Sequence, residues 1–222
     1  MSNPMREAIA RHMLFSKQHI PHYYLTMRAE MSATMDRREA WNAGRSKEQQ
    51  VSVNDLVIKA VCMALAAHPE FNGYFPEEGF THVDQINIGV AIALPDGLIA
   101  PAILDCGHLS LDEIAQKSRD LAARTRQKTL KAEEYTSATF TVTNLGMYHV
   151  ENFIAIIVPP QVGILSVGEL LEVPAIRDGE IYTEHRMALT LSGDHRATDG
   201  AEGARFLGDI VSCLQNPEKL FT

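Results

Sequence analysis

Leu189-Thr190-Leu191-Ser192-Gly193-Asp194-His195-Arg196-Ala197-Thr198-Asp199-Gly200 joins a strand, a polar turn and a helix start in one short run. The apolar stretch from Met187 to Leu191 has the length and β-leaning composition of a buried strand. Beyond Gly193 the chain places Asp194, His195, Arg196 and Asp199 close together. From Ala201 to Leu214 apolar residues recur at helical spacing, at Ala204, Phe206, Leu207, Ile210, Val211 and Leu214. Asp199 stands at the N-cap of that helix, where a carboxylate meets orphan N–H groups and the positive end of the helix dipole. The pattern predicts a histidine held at a fixed place between strand and helix. A similar run, His68-Pro69-Glu70-Phe71-Asn72-Gly73, follows a helical stretch and reads as a helix exit.

The bounds are those of one large domain. A chain of 222 residues buries an adequate core without disulfides or metals. Its formal net charge of −8 argues against nucleic acid or an anionic membrane surface as the main partner. Cys62, Cys106 and Cys213 are odd in number and form no CxxC, so buried thiols are expected, with no metal site and a reducing compartment. Neither a membrane-length apolar run nor a signal-peptide core is present in the sequence. The expectation is a soluble protein of the cytoplasm, or of the mitochondrial matrix in a eukaryote.

Along the chain, helices are expected over 4–17, started by Ser2 or Asn3 before Pro4, and over 33–42, 52–67 and 110–127. Val53, Leu56, Val57, Ala60, Val61, Ala64 and Leu65 make the third of these a wide apolar stripe suited to deep burial. Ser110 with Glu113 three residues on is a capping-box pattern, and Lys117, Arg119, Arg124 and Arg126 read as a solvated face. Strands are expected over 20–31, 85–94, 98–104, 138–146, 153–158, 163–168 and 182–191, with turns at Pro95-Asp96-Gly97 and Asp178-Gly179. Thr139, Thr141 and Thr143 share one face of their strand, by the two-residue period. His19 and His22 read as surface histidines beside a proline turn, and Leu220-Phe221 as apolar residues at a free terminus.

Asp194-His195-Arg196-x-x-Asp199-Gly200 after an apolar strand resembles the active-site signature of the dihydrolipoamide acyltransferases, the core subunits of 2-oxo acid dehydrogenase complexes. More distantly it is similar to chloramphenicol acetyltransferase. Met5-Arg-x-Ala-Ile-Ala-x-x-Met and Ser16-Lys-Gln-x-Ile-Pro-His-Tyr-Tyr-Leu-Thr resemble the opening of the same catalytic domain, and Asn87 to Ile103 resembles its hairpin bordering the coenzyme A channel. Thr-Phe-Thr-Val-Thr-Asn-Leu-Gly, ending at Gly146, resembles the stretch in which a serine hydroxyl faces the reacting carbonyl. Thr143 falls at that serine, keeping the hydroxyl while adding a methyl that limits its rotamers.

The resemblance runs from Met5 to Phe221. It implies an α/β (α+β) two-layer sandwich, a mixed β-sheet covered by helices as in chloramphenicol acetyltransferase. It also implies one catalytic domain over 1–222, with no lipoyl or peripheral-subunit-binding domain. The implied assembly is a homotrimer with His195 and Thr143 from neighbouring chains, built into a 24-mer or 60-mer core beside the other dehydrogenase-complex subunits. The apolar Leu220-Phe221 end motivates that further step. Coenzyme A is the implied substrate, on contact residues the sequence does not mark, and the lipoyl group comes from a lipoyl domain elsewhere.

The chemistry asked of these residues is transfer of an acyl group between thiols. A free thiol with pKa ~8.5 is mostly protonated near neutral pH, so its proton must be removed. Imidazole, titrating near ~6.5, suits that task, and a hydroxyl can stabilise the tetrahedral oxyanion. His195, Thr143 and Asp199 are therefore the candidate catalytic residues, with Asp194, Arg196 and Gly200 supporting the loop and Arg6 or Arg196 as partner for Asp199. The absence of a Ser–His elbow favours direct thiol attack over an acyl-enzyme. The alternatives are a stand-alone small-molecule acetyltransferase and a catalytically silent scaffold subunit.

Overall fold

The computed structural model describes residues 4–95 and 97–221. Its helices are α1 (Pro4–His19), α2 (Ser32–Asn42), α3 (Val53–Ala67), α4 (Leu111–Gln127), α5 (Ala132–Thr136) and α6 (Gly200–Gln215). Its strands are β1 (His22–Glu30), β2 (Gly73–Tyr74), β3 (Thr81–His82), β4 (Ile88–Val90), β5 (Ile92–Leu94), β6 (Gly97–Ile99), β7 (Ala102–Ile103), β8 (Phe140–Asn144), β9 (Gly163–Arg177) and β10 (Glu180–Asp194). Six strands form one sheet in the order β1-β10-β9-β8-β4-β7. β4, β8 and β9 run parallel to one another, whereas the pairs β1–β10, β10–β9 and β4–β7 are antiparallel, so the sheet is mixed as expected.

Strand alternation gives this sheet two unlike faces. On one, Phe140, Val142, Leu165, Val167, Leu189 and Leu191 are buried in the main core, together with the apolar stripes of α3 and α6. Phe206 of α6 stacks on Phe71 at 4.3 Å and meets Phe140 edge-on at 5.5 Å. On the other face, Thr143, Ser166, Thr190 and Thr26 stand directly opposite one another across β8, β9, β10 and β1. The same face carries a second, small apolar cluster of Ile20, Ile157 and Ile164. Thr26 and Thr190 share a 2.8 Å hydrogen bond, and Thr190 donates to Asn152 Oδ1 at 2.6 Å.

The capping box at Ser110 and the N-cap at Asp199 were legible in the sequence, and both are formed. Ser110 accepts from Glu113 N at 3.3 Å while Glu113 accepts from Ser110 N, and Asp199 caps α6 in the same reciprocal way. On α4, Arg124 is paired with Glu134 and Asp120, and Arg119 donates to Gln50 O, so two of the four expected solvated cations are engaged in packing. The cysteines are free, with Cys62 and Cys106 buried.

Several expectations are corrected. The 85–94 strand splits at Ala91, leaving β4 in the main sheet and β5 in a separate hairpin with β6; the 98–104 strand splits likewise. Residues 153–158 form no strand. β9 and β10 are far longer than their apolar centres and meet at Asp178-Gly179, where both residues take positive φ. Leu220 and Phe221 are buried, with Phe221 packed 5.4 Å from Trp41, so within one chain they offer no apolar end to a partner. The helix start at Ser2 or Asn3 and the tip of the turn at Asp96 lie outside the described residues. Among the described residues no helix is long and apolar enough to cross a membrane.

Candidate active site

The turn after β10 is built on a buried carboxylate. Asp194 has no exposed surface, and its main-chain oxygen accepts from Ala197 N at 3.0 Å and Thr198 N at 3.1 Å. Its side chain accepts from Arg196 N at 3.0 Å and from the Arg196 fork, with Nη2 at 2.7 Å. Pairing with Asp194 raises the Arg196 pKa further, and the guanidinium lies 4.5 Å over the Phe75 ring. His195 N donates to Pro21 O at 2.9 Å, so both sides of the histidine are pinned through the main chain. The imidazole itself is exposed and sits edge-on to Tyr23 at 5.1 Å. No described residue hydrogen-bonds to its ring nitrogens.

Tyr23 fills the space beneath. A Cβ at Gly193 would stand 2.4 Å from its ring, and one at Gly203 would stand 2.6 Å from its hydroxyl, so both glycines are required by close approach. The Tyr23 hydroxyl meets Thr198 Oγ1 at 2.9 Å, and burial pushes its pKa up to about 12, which keeps the phenol neutral.

Asp199 accepts from Ala201 N and Glu202 N, each at 2.8 Å; the bond from Glu202 N is the first cause of its lowered pKa. Neither Arg6 nor Arg196 forms an ion pair with it; Arg196 belongs to Asp194, and the permanent positive charge that further favours the Asp199 carboxylate is that of Arg205. A Cβ at Gly200 would meet nothing within 4 Å, so no close packing in the turn calls for a glycine there.

Thr143 lies elsewhere. It is 9 % exposed and lines a cavity of about 730 Å³, walled by Thr141, Ala155, Ile156, Gln161 and, from α1, Ile9 and His12. Thr141 Oγ1 donates to Gln161 Oε1 at 2.7 Å. His12 and Gln161 were not picked out from the sequence; single polar residues without a spacing pattern give no signal there.

The segment 152–158, which pairs with no strand, is held in the cavity wall by side chains. Its peptide groups bond to side chains from four elements. Ser166 Oγ accepts from Ala155 N at 3.1 Å, and Ser192 Oγ donates to Ala155 O at 2.7 Å. Ser16 Oγ donates to Ile157 O at 2.7 Å, and His22 Nε2 accepts from Ile157 N at 3.1 Å. His22 is thus a half-buried structural histidine, not a surface one.

One chain does not bring Thr143 and His195 together. Thr143 is opposite Ser166, which is opposite Thr190, and His195 follows Thr190 by five residues. Two strand spacings of ~4.8 Å and five residues of ~3.4 Å place the two Cα atoms roughly 19 Å apart.

The chain belongs to the 2-oxoacid dehydrogenases acyltransferase (catalytic domain) family, whose model matches residues 1–222. It is 34% identical over 218 residues to the dihydrolipoyllysine-residue acetyltransferase component of the pyruvate dehydrogenase complex of Rickettsia felis, covering 97% of this chain and 53% of that protein. It therefore spans about half the length of such curated relatives. The dihydrolipoamide acetyltransferase of Azotobacter vinelandii superimposes with a TM-score of 0.93 at 27% identity, covering 100% of this chain and 93% of that one. That enzyme was studied for the role of a serine, a histidine and, four residues on, an asparagine in its catalytic mechanism. The cubic core of the pyruvate dehydrogenase multienzyme complex gives the same TM-score at 28% identity, with the same coverage. Chloramphenicol acetyltransferase, at 15% identity and a TM-score of 0.57 over 92% of this chain and 94% of that one, shares the fold.

Proposed function

We propose that this chain is the catalytic domain of a dihydrolipoamide S-acyltransferase, moving an acyl group between dihydrolipoamide and coenzyme A. The observation that carries the reading is the pinned but unpartnered His195 imidazole, in a family of acyltransferases. Supporting it, Thr143 places a hydroxyl in a largely apolar cavity, where a hydrogen bond to developing charge is worth most.

In the proposed mechanism the attacking thiol gives its proton to His195 as its sulfur bonds to the thioester carbonyl carbon. The carbonyl oxygen becomes an oxyanion that accepts from Thr143 Oγ1. Collapse of the tetrahedral intermediate breaks the other carbon–sulfur bond, and His195 returns the proton to the leaving thiolate. No acyl-enzyme forms. Asp199 acts through the helix cap and Asp194 with Arg196 through the turn, as positioning residues.

The ~19 Å separation within one chain supports a site shared by two copies. A homotrimer closes such head-to-tail contacts, and a larger core assembled from trimers is the proposed state of the complex. The lipoyl group would arrive on another domain or chain, alongside the other dehydrogenase subunits. The proposed setting is the cytoplasm, or the mitochondrial matrix in a eukaryotic cell.

Acetyl transfer from acetyl-coenzyme A to free dihydrolipoamide tests the reading, run beside chloramphenicol and a control without acceptor. Transfer to dihydrolipoamide is the expected result. Transfer to chloramphenicol alone would indicate a small-molecule acetyltransferase, and none to either a silent scaffold.

A further inference from the structure

Beyond Thr143, the cavity is lined by a buried polar side chain, Gln161, whose hydrogen-bonding capacity is only partly used among the described residues. Gln161 is 4 % exposed, and its backbone is fixed by the 3.0 Å bond from its N–H to Val158 O and by a bridge to Tyr74. Its Oε1 accepts from Thr141 Oγ1 at 2.7 Å. Nε2, with two N–H donors, has no partner among the described residues. No fully enclosed side-chain nitrogen or oxygen there lacks a partner, so Nε2 is not enclosed. Because Gln161 lines the cavity and is otherwise buried, the space Nε2 reaches is the cavity.

A donor so placed loses water when an apolar-walled cavity fills, and it must then be given an acceptor. Thr141, which orients the amide, lies two residues from Thr143 on the same strand face, or roughly 7 Å along β8. The donor therefore belongs to a part of the ligand removed from the reacting carbonyl. Both thiols of the proposed reaction offer a neutral acceptor at a distance from sulfur. Coenzyme A has an amide whose nitrogen follows two carbons from its sulfur and whose carbonyl comes next, and dihydrolipoamide has an amide carbonyl at the end of its chain.

Resting on the acyltransferase reading, we propose that Gln161 Nε2 donates to an amide carbonyl of the thiol-bearing arm and so sets the depth to which it enters the cavity. The contact is made alike in ground state and transition state, so it acts on KM and leaves kcat alone. Gln161 is a binding residue on this account.

The test is steady-state kinetics of wild type, Gln161→Glu and Gln161→Met with acetyl-coenzyme A and dihydrolipoamide, and with butane-1,3-dithiol as an amide-free acceptor. Glu keeps an acceptor for Thr141 and loses the donor; Met keeps the length without the amide and covers the case in which Glu fails to fold. Loss of one neutral hydrogen bond should raise one KM by about three- to tenfold, with kcat unchanged. A rise for dihydrolipoamide but not for the amide-free dithiol assigns the lipoyl arm; a rise for acetyl-coenzyme A assigns the coenzyme A arm. The proposal is overturned if neither KM moves, or if kcat falls while both KM values stay put. A wild-type protein that transfers no acetyl group sinks the acyltransferase reading and this proposal with it; an active wild type with indifferent variants sinks only the role of Gln161.

Discussion

His22 and Ile157 are joined by a bond that only the neutral imidazole can make. Nδ1 lies 2.8 Å from Ile20 O and must donate, while Nε2 accepts the Ile157 N–H at 3.1 Å. His22 is also the register partner of Asp194, and the preceding residue, Pro21, accepts from His195 N. One histidine therefore ties the wall of the Thr143 cavity to the strand end that carries His195.

Desolvation lowers the His22 pKa below 6.5, with Lys17 adding to the effect and Ile20 O and Asp194 opposing it. The folded state prefers the neutral form, so the contribution to stability is full above pH 6.5 and is lost as pH falls through the folded value. His22→Gln keeps an acceptor for Ile157 N–H but does not titrate. Its melting temperature should fall less than that of wild type between about pH 7 and pH 5. Equal falls in the two proteins would refute the assignment. His22→Leu, leaving the Ile157 N–H unsatisfied, should cost about 1–3 kcal/mol at neutral pH.

Arg196→Ala should destabilise the turn by about 2–3 kcal/mol, toward the low end for a buried pair because the arginine is partly exposed while Asp194 is not. Arg196→Lys should recover only part of this, since an ammonium cannot reproduce the fork. Chemical denaturation measures both, and a neutral Arg196→Ala would contradict the buried-carboxylate account of the turn.

Gly193→Ala should cost about 1–3 kcal/mol, because its Cβ would overlap the Tyr23 ring. Gly200→Ala, at the first residue of α6 and with open space around the added Cβ, should be nearly neutral. Similar losses at the two positions would show that contact with the Tyr23 ring does not set the cost at Gly193.

Asp199→Ala removes the acceptor for two helix N–H groups and should lower the melting temperature by about 3 °C, with turnover falling through geometry. Asp199→Asn should cap nearly as well. An Asn variant that melts like wild type and has lost all turnover would give Asp199 a direct electrostatic role.

The contrast between what sequence did and did not reveal follows from how local each signal is. The strand before His195, the cap at Asp199 and the stripe of α3 rest on neighbours within a few residues, and all are formed. The 153–158 segment has the apolar run of a strand, but its partners are side chains of Ser16, His22, Ser166 and Ser192, and no periodicity encodes such partners. The same holds for Arg196, whose choice of Asp194 over Asp199 depends on a turn that buries one carboxylate and exposes the other. Leu220-Phe221 read as a free apolar end because the Trp41 site that covers Phe221 is set by tertiary packing.

The central claim is that the proposed catalytic pair comes from two copies of the chain. Thr143→Ala and His195→Ala should each be severely impaired, by about 10²–10³ and 10²–10⁴ in kcat. The decisive measurement is the activity of the two variants unfolded, mixed in equal amounts and refolded together. In a head-to-tail ring, about a quarter of the sites would then combine an intact Thr143 with an intact His195, and activity should return to that fraction of wild type. If both residues act from one chain, every chain in the mixture is defective, and a mixture no more active than the variants alone would contradict the account.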